Sequence, residues 1–505
     1  MNKYQKSKNK LSTNKINRRK FIITSGLTSF GLMISPDILN ALALQGQNKI
    51  KAHGPGADYI PSLKIAFVRR KEEYGMWWPG QIYDGEEALK KYNKQILETA
   101  KKLDISVDIR KDPIYSPEEA DGWVQEAKSQ NPDGLMVVVL DRQQHAWPTV
   151  NKAIDSTIPT IVFSPLGTSF TTNTSRPSKR EGVFICSTDD FSQAAFGMKM
   201  IKAGAKLRET RYLVIWSDKR RDAVINHFGT KLRYIPAQDF VDAYNNMQDD
   251  QEIKRLAEEV TKNAQAIHGP SNQDIYNGIK SYLVAKKLLE HERCDAITMD
   301  CLGTLGKTKI SLPCMAWSKI NDHAIPAACE ADLGACVTHA LVQYLFDRPG
   351  FQQDPVAETV RDCLIGSHCS CATKLNGFTK PSEPYDIVPH HGNRDATLNP
   401  VWKQGQRVTV ADVILSERRN SYGFIRSDSD VVEKENISMI ISSGEVVDQK
   451  RIPPSGGCVV APMVKLDNVS DLLDYPGFHQ IFFYGDYKKE LESYCRLYGI
   501  KPVIV

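Results

Sequence analysis

No cysteine occurs before residue 186, and none of the eleven that follow forms a Cys-x-x-Cys pair. Most sit inside apolar runs, such as Ile185-Cys186 and Gly457-Cys458-Val459-Val460, and eight fall within residues 294–371. That usage argues against a disulfide framework and for buried free thiols. Long apolar runs are missing too. Beyond residue 43 none approaches the roughly 20 residues that a membrane-spanning helix needs. Neither sign of charge dominates. The net charge is +5, but residues 1–43 hold eight Lys and Arg against the single acid Asp37. This leaves 57 basic and 59 acidic residues in 44–505, a charge of −2. A near-neutral body carries no electrostatic footprint for nucleic acid. No internal repeat is visible, which excludes solenoid arrays. What remains is globular composition, 41% hydrophobic and 25% charged over 505 residues, enough for about two to four domains.

The basic residues gather in the first twenty, and fifteen uncharged residues, Phe21 to Ser35, follow them. That run is too short to span a bilayer as a stable helix. Ala41-Leu42-Ala43 then places small residues at the −3 and −1 positions of a cleavage site. Asn17-Arg18-Arg19-Lys20-Phe21 resembles a twin-arginine export signal. Residues 1–43 therefore read as a removable signal peptide, with a periplasmic or exported destination. The resemblance also implies a protein that crosses the membrane already folded, which is compatible with free thiols.

After residue 60, continuous apolar strands alternate with amphipathic helices. Leu63–Val68, Gly134–Leu140 and Pro159–Ser164 read as buried strands, and 85–103 and 117–129 as helices. The alternation predicts an α/β fold. Two doubly wound parallel-sheet domains are expected, at 60–180 and 181–374. Val183–Cys186, Tyr212–Trp216 and Ala296–Met299 supply strands for the second. Residues 375–400, rich in Pro, Gly, Asn and His, read as a linker or surface loop. Short strands then dominate: 408–415, 437–441, 458–461, 480–484 and 503–505, with one helix at Lys488–Leu497. A mainly β, barrel-like C-terminal domain over 375–505 is expected.

The chemistry-bearing residues lie late in the chain. In Ala327-Ala-Cys-Glu-Ala-Asp-Leu-Gly334, Glu330 precedes a helix whose apolar stripe runs from Leu333 to Leu345. A carboxylate there is stabilised by the helix dipole. Asp354 lies beyond the Arg348-Pro-Gly350 turn. About fifteen helical residues carry the chain roughly 22 Å away, and the stretch to Asp354 returns about 23 Å only if fully extended. The two carboxylates meet on that condition; otherwise Glu330 is a capping residue and Asp354 an unrelated loop acid. His368 follows an apolar run, and His479 immediately precedes the strand 480–484. Each alone reads equally as a core histidine. Two carboxylates with one or two imidazoles suit a hard-to-borderline divalent ion such as Mn²⁺. Cys369-Ser370-Cys371 beside His368 invites a zinc reading, but one Cys-x-Cys is a weak signal. Trp77 and Trp78 are candidates to stack on a sugar ring or to pack in a loop. Asn321, in a loop facing the crevice of the second domain, and His391, in the polar linker, are further substrate-binding candidates. His339 falls opposite the apolar stripe and is expected at a solvated or subunit-facing surface.

From about residue 60 to its end the sequence resembles the L-fucose/L-arabinose isomerase-like group of sugar isomerases. Two places carry the likeness. One is Cys329-Glu330-Ala331-Asp332-Leu333-Gly334 with Asp354 twenty-four residues on. The other is Pro476-Gly-Phe-His479, then Phe483-Tyr-Gly-Asp-Tyr-Lys-Lys-Glu-Leu491 and Leu497-Tyr-Gly-Ile500. The resemblance implies metal ligation by Glu330, Asp354 and His479, with His368 where arabinose isomerases carry an additional ligand. It implies Mn²⁺ or another divalent cation, a homo-oligomer (trimer or hexamer), and aldose–ketose isomerisation through an ene-diol with Glu330 and Asp354 catalytic. Export departs from the family, whose familiar members act on free sugars in the cytoplasm. Three functions therefore stand: a metal-dependent sugar isomerase, a metal-dependent enzyme of another carbohydrate reaction such as glycoside cleavage, and a non-catalytic sugar-binding protein. The partner in each is a small sugar or glycoside, with no nucleic acid and no membrane span after signal removal.

Overall fold

The strand Ser62–Val68, buried on both faces along nearly its whole length, anchors the first sheet. The computed structural model describes residues 50–505 except 73–74, 78–81, 143–144, 249–250, 391–393, 416–430, 433–436 and 451–457; the proposed signal peptide lies outside the described residues. Five parallel strands form that sheet: Ser62–Val68, Ser106–Ile109, Gly134–Val139, Thr160–Ser164 and Val183–Ser187, in spatial order 2-1-3-4-5. Because strand side chains alternate, each strand serves two cores. Leu63, Ile65 and Phe67 pack with Tyr92 and Ile96 of helix Gly85–Leu103. Ala66 and Val68 pack with Trp123 of helix Pro117–Gln130 and Val150 of helix Ala146–Asp155. The helix starts follow local chemistry. Asp84 accepts hydrogen bonds from the backbone N–H of Glu86 and Glu87 at 2.8 and 3.1 Å. Ser116 caps Pro117–Gln130, whose first residue is proline.

Val183–Ser187, expected to open the second domain, is the edge strand of this first sheet, paired with Thr160–Ser164. The second sheet is mixed rather than wholly parallel. Its order is Ala327–Cys329, Ala296–Met299, Arg211–Ile215, Thr230–Ile235, Arg221–Ile225 and Val431–Val432. Arg221–Ile225 runs antiparallel to Thr230–Ile235 because the four residues between them can make only a hairpin, not a crossover.

The third unit is a closed antiparallel barrel. Arg407–Ile414, Gln480–Tyr484, Phe351–Glu358, Cys363–Ser367, Pro462–Leu466 and Ser438–Gln449 pair in that order, and Ser438–Gln449 closes back on Arg407–Ile414. Closure leaves the six strands without a free edge, and Lys501–Ile504 adds in parallel on Ser438–Gln449. Two barrel strands precede residue 375, so the β domain draws on chain assigned by sequence to the domain before it. The expected linker, in turn, contains the antiparallel pair Tyr385–His390 and Arg394–Pro400.

Helix Leu333–Phe346 joins the units. It is buried almost all round, its polar residues Thr338, His339 and Gln343 included. Its side chains share one core with helix Ser192–Glu209 and with barrel residues Val413, Ile481 and Phe483. His339 on this helix is 2% exposed, not solvated. The apolar stripe implied an open opposite face; the barrel covers it. No helix among the described residues is long and apolar enough to cross a membrane. Ten of the eleven cysteines are buried, and all eleven are free.

Candidate metal centre

Strand Ala327–Cys329 ends in two residues of left-handed backbone, Glu330 at φ 62° and Ala331 at φ 55°. Asp332 then caps helix Leu333–Phe346, its Oδ1 accepting from Gly334 N–H at 2.8 Å and Ala335 N–H at 3.2 Å. The helix descends, turns, and the chain returns as strand Phe351–Glu358, which carries Asp354. The straight return required for the two carboxylates to meet is therefore present. His479 also sits in left-handed backbone, φ 60°, at the entry to strand Gln480–Tyr484. For non-glycine residues this conformation costs about 1 kcal/mol or more each. Three such residues at one place show backbone geometry given over to side-chain placement.

These elements converge. His479 Nε2 lies 3.2 Å from Asp354 Oδ1 and 3.7 Å from Glu330 Oε2. The His368 ring meets it edge-on, centroids 5.7 Å apart. One donor atom each from Glu330, His368 and His479 lie within 4.8 Å of one another. Ligand atoms about 2.1 Å from a shared ion stand about 3–4 Å apart, so the spacing fits a divalent cation. Asp354 Oδ1 is shielded from solvent, and its contact among the described residues is with His479 Nε2. An oxygen so placed suits a ligand role.

Charge balance supports the same reading. Burial alone would lower the His479 pKa, but contacts with Asp332 and Asp354, with the charge of Glu330, hold it up at about 10. Burial alone would raise Asp354; His479 and His368 outweigh it and hold the carboxyl below its ordinary value. The surrounding carboxylates thus favour a proton on the His479 imidazole. An incoming metal must displace that proton, since a ligating imidazole is neutral.

Sequence reasoning missed the residues that orient these four. Asp332 Oδ2 holds His479 Nδ1 at 2.9 Å. Gln352 accepts from Cys329 N–H at 2.8 Å and so ties the strand before Glu330 to the strand carrying Asp354. Gln353 donates to Gln480 at 2.9 Å, linking Asp354's neighbour to His479's neighbour. The Asp332 signal was legible: an aspartate just before an apolar helical stripe is a cap, and its second oxygen is left over.

The other candidates are placed differently. Asn321 is in helix Cys314–Asp322, not a loop, and is 4% exposed. Its carboxamide exchanges two hydrogen bonds with Ala327 backbone, at 2.9 and 3.1 Å, and accepts from Gln343 at 2.8 Å. It is committed to the strand leading to Glu330. Trp77 lies in the short strand Gly75–Trp77; its side chain, like all of Trp78 and His391, falls outside what is described. At the C-terminal ends of strands Arg211–Ile215 and Ala296–Met299, a cavity of about 410 Å³ is lined by Trp216, Gln238, Asp300, Thr304 and Thr308, where open α/β sheets place ligands. None of the four candidate ligands lines it.

No family model matches the chain, and no curated protein matches it. Solved structures similar to it include a carbohydrate transporter from Acidothermus cellulolyticus in complex with myo-inositol, at 10% identity and TM-score 0.19, covering 57% of this chain and 88% of that one. A sugar-binding protein of a sugar ABC transporter from Bacillus halodurans matches at 15% identity and TM-score 0.17, over 56% and 87%. A periplasmic solute-binding protein from Actinobacillus succinogenes with bound D-allose matches at 12% and 0.18, over 56% and 91%.

Proposed function

We propose that Glu330, Asp354, His368 and His479 hold a divalent cation of the Mn²⁺ class against an open-chain carbohydrate, and that the chain isomerises aldose to ketose. The observation that carries this reading is the approach of two carboxylates, one in the turn after strand Ala327–Cys329 and one on strand Phe351–Glu358, to one ring nitrogen of His479. Such convergence suits a shared cation. The cation, when bound, polarises the carbonyl and hydroxyl oxygens and makes the neighbouring carbon acidic. One of Glu330 and Asp354 takes the proton from that carbon and returns it to the adjacent one. The other carries the hydroxyl proton to the carbonyl oxygen. Both protons stay within the substrate–carboxylate system, so no redox partner is needed. Their differing surroundings allow the two acids to divide these roles.

Glu330→Gln should abolish turnover while leaving the fold. Incubating metal-loaded wild type and variant with a panel of aldoses, and separating the products, reads this out; retained activity in the variant overturns it. Sugar binding without turnover is the second reading of the same residues. Aldose binding by calorimetry, with no product in metal-loaded wild type, selects it. Export through the twin-arginine route and trimer or hexamer assembly belong to the proposal as well. N-terminal sequencing of the exported form and light scattering test them.

A further inference from the structure

Beside the carboxylate site, and untouched by that reading, lies a second cluster of donors. Cys314 opens helix Cys314–Asp322, Cys329 ends strand Ala327–Cys329, Cys369 follows strand Cys363–Ser367, and His390 ends strand Tyr385–His390. All four are at least nine-tenths buried. Donor atoms of Cys314, Cys369 and His390 lie within 4.8 Å of one another. Cys369 is common to a second such group, in which one donor atom each from Cys329, His368 and Cys369 lie within the same distance of one another.

We propose that Cys314, Cys329, Cys369 and His390 form a closed, soft-donor metal site of the zinc class. Three thiols and one imidazole are a complete tetrahedral complement for that ion. With metal–sulfur bonds of about 2.3 Å, ligand atoms stand about 3.5–4 Å apart, within the limit that Cys314, Cys369 and His390 meet together and that Cys329 meets with Cys369. A disulfide explains the arrangement less well. Cys369 faces two thiols and can bond to only one, leaving the third sulfur unused. A cation uses all three, each thiol releasing its proton as the sulfur–metal bond forms. The backbone around Cys369 is held for the purpose: Thr397 donates to its carbonyl at 2.8 Å, and Ser370 contacts Cys329 Sγ at 3.2 Å. Cys371 takes no part, its thiol turned to the Ala372 carbonyl at 3.5 Å, so the Cys-x-Cys pair is not the chelate. The ligands come from the second sheet's edge, a helix, the barrel and the outlying hairpin. The ion would staple all of them.

The site also touches its neighbour, because His368 Nδ1 lies 3.5 Å from Cys369 Sγ. The proposal does not depend on what the carboxylate site binds. Cobalt(II) exchanged into the full chain separates the two sites, since only thiolate ligation gives an intense sulfur-to-cobalt charge-transfer absorption. Wild type should show that absorption together with tightly bound metal. Glu330→Gln and Cys371→Ser should keep it. Cys314→Ser and Cys369→Ser should each lose it with about one metal equivalent. Cobalt-loaded wild type without the absorption overturns the proposal whether or not any variant folds. So does a Cys314–Cys369 disulfide in unreduced protein, found by mass spectrometry of its peptides.

Discussion

Asp332 faces His479 and its own helix at once: Oδ2 meets the imidazole Nδ1 at 2.9 Å, while Oδ1 receives Gly334 N–H at 2.8 Å. One carboxylate thus fixes where the helix begins and which way the ring is protonated. With Nδ1–H directed to Asp332, Nε2 is the nitrogen left to face Glu330 and Asp354. Asp332→Asn can satisfy only one of these two demands. Loss of such a supporting partner typically costs about 10–100-fold in metal affinity. Asp332→Ala should lose the helix cap besides, about 1 kcal/mol. Mn²⁺ titration and urea denaturation of both variants measure the two effects separately; wild-type affinity in Asp332→Asn would refute the orienting role.

Metal removal should act on chemistry before it acts on fold. Without the ion, His479 keeps a balanced environment, raised to about 10 by Asp332 and Asp354 against the effect of burial. The charges left by chelation are therefore already paired. Chelator-treated protein is expected to keep its far-ultraviolet dichroism while losing turnover, and Mn²⁺ should restore it. Activity that survives exhaustive chelation, with metal analysis showing none left, would show that turnover needs no cation.

His339 gives the protein an acid weakness. The ring is 2% exposed and neither nitrogen has a hydrogen-bond partner among the described residues. Burial, and then the nearby charge of His368, pull its pKa from 6.5 to about 3. The unfolded chain binds this proton near pH 6.5, whereas the folded chain does not bind it until about pH 3. Its contribution is thus fully present above pH 6.5 and is lost as pH falls toward 3. At about 1.4 kcal/mol per unit, the loss reaches about 2 kcal/mol by pH 5. Urea midpoints at pH 7 and pH 5 should converge for His339→Leu but not for wild type. Equal pH slopes in the two proteins would contradict the assignment.

The first sheet was readable because its strands are continuous apolar runs between amphipathic helices. Helix Lys488–Leu497 was readable for the same reason of period. The barrel was only half visible. Phe351–Glu358 carries Gln352, Gln353 and Asp354, so its polar residues hid a strand that closure and the proposed metal site make sense of. Asp354 was legible as a candidate through its spacing from Glu330 and the family resemblance that this spacing carries. Asn321 misled in the opposite direction, since a buried carboxamide bonded to Ala327 backbone has the same sequence appearance as an exposed one. The left-handed backbone at Glu330, Ala331 and His479 left no trace, because none of the three is glycine. The thiol cluster was invisible for a different reason: its ligands are spread from 314 to 390 and meet only through tertiary packing.

Helix Leu333–Phe346 and strand Gln480–Tyr484 are clamped at both ends. The site end is the Asp332–His479 pair. At the other, Phe346 stacks on Phe483 with centroids 5.3 Å apart and planes 20° from parallel, and Tyr487 continues the stack at 4.2 Å from Phe346. Phe483 is fully buried, so truncation removes a large apolar side chain and leaves a cavity between helix and barrel. Phe483→Ala should cost about 3–5 kcal/mol of stability. Denaturant unfolding measures the loss, and the fraction still folded should bind metal with unchanged stoichiometry, since no donor atom is altered. A cost below about 1 kcal/mol would mean the site can collapse around the gap, and that the helix is held to the barrel chiefly at Asp332.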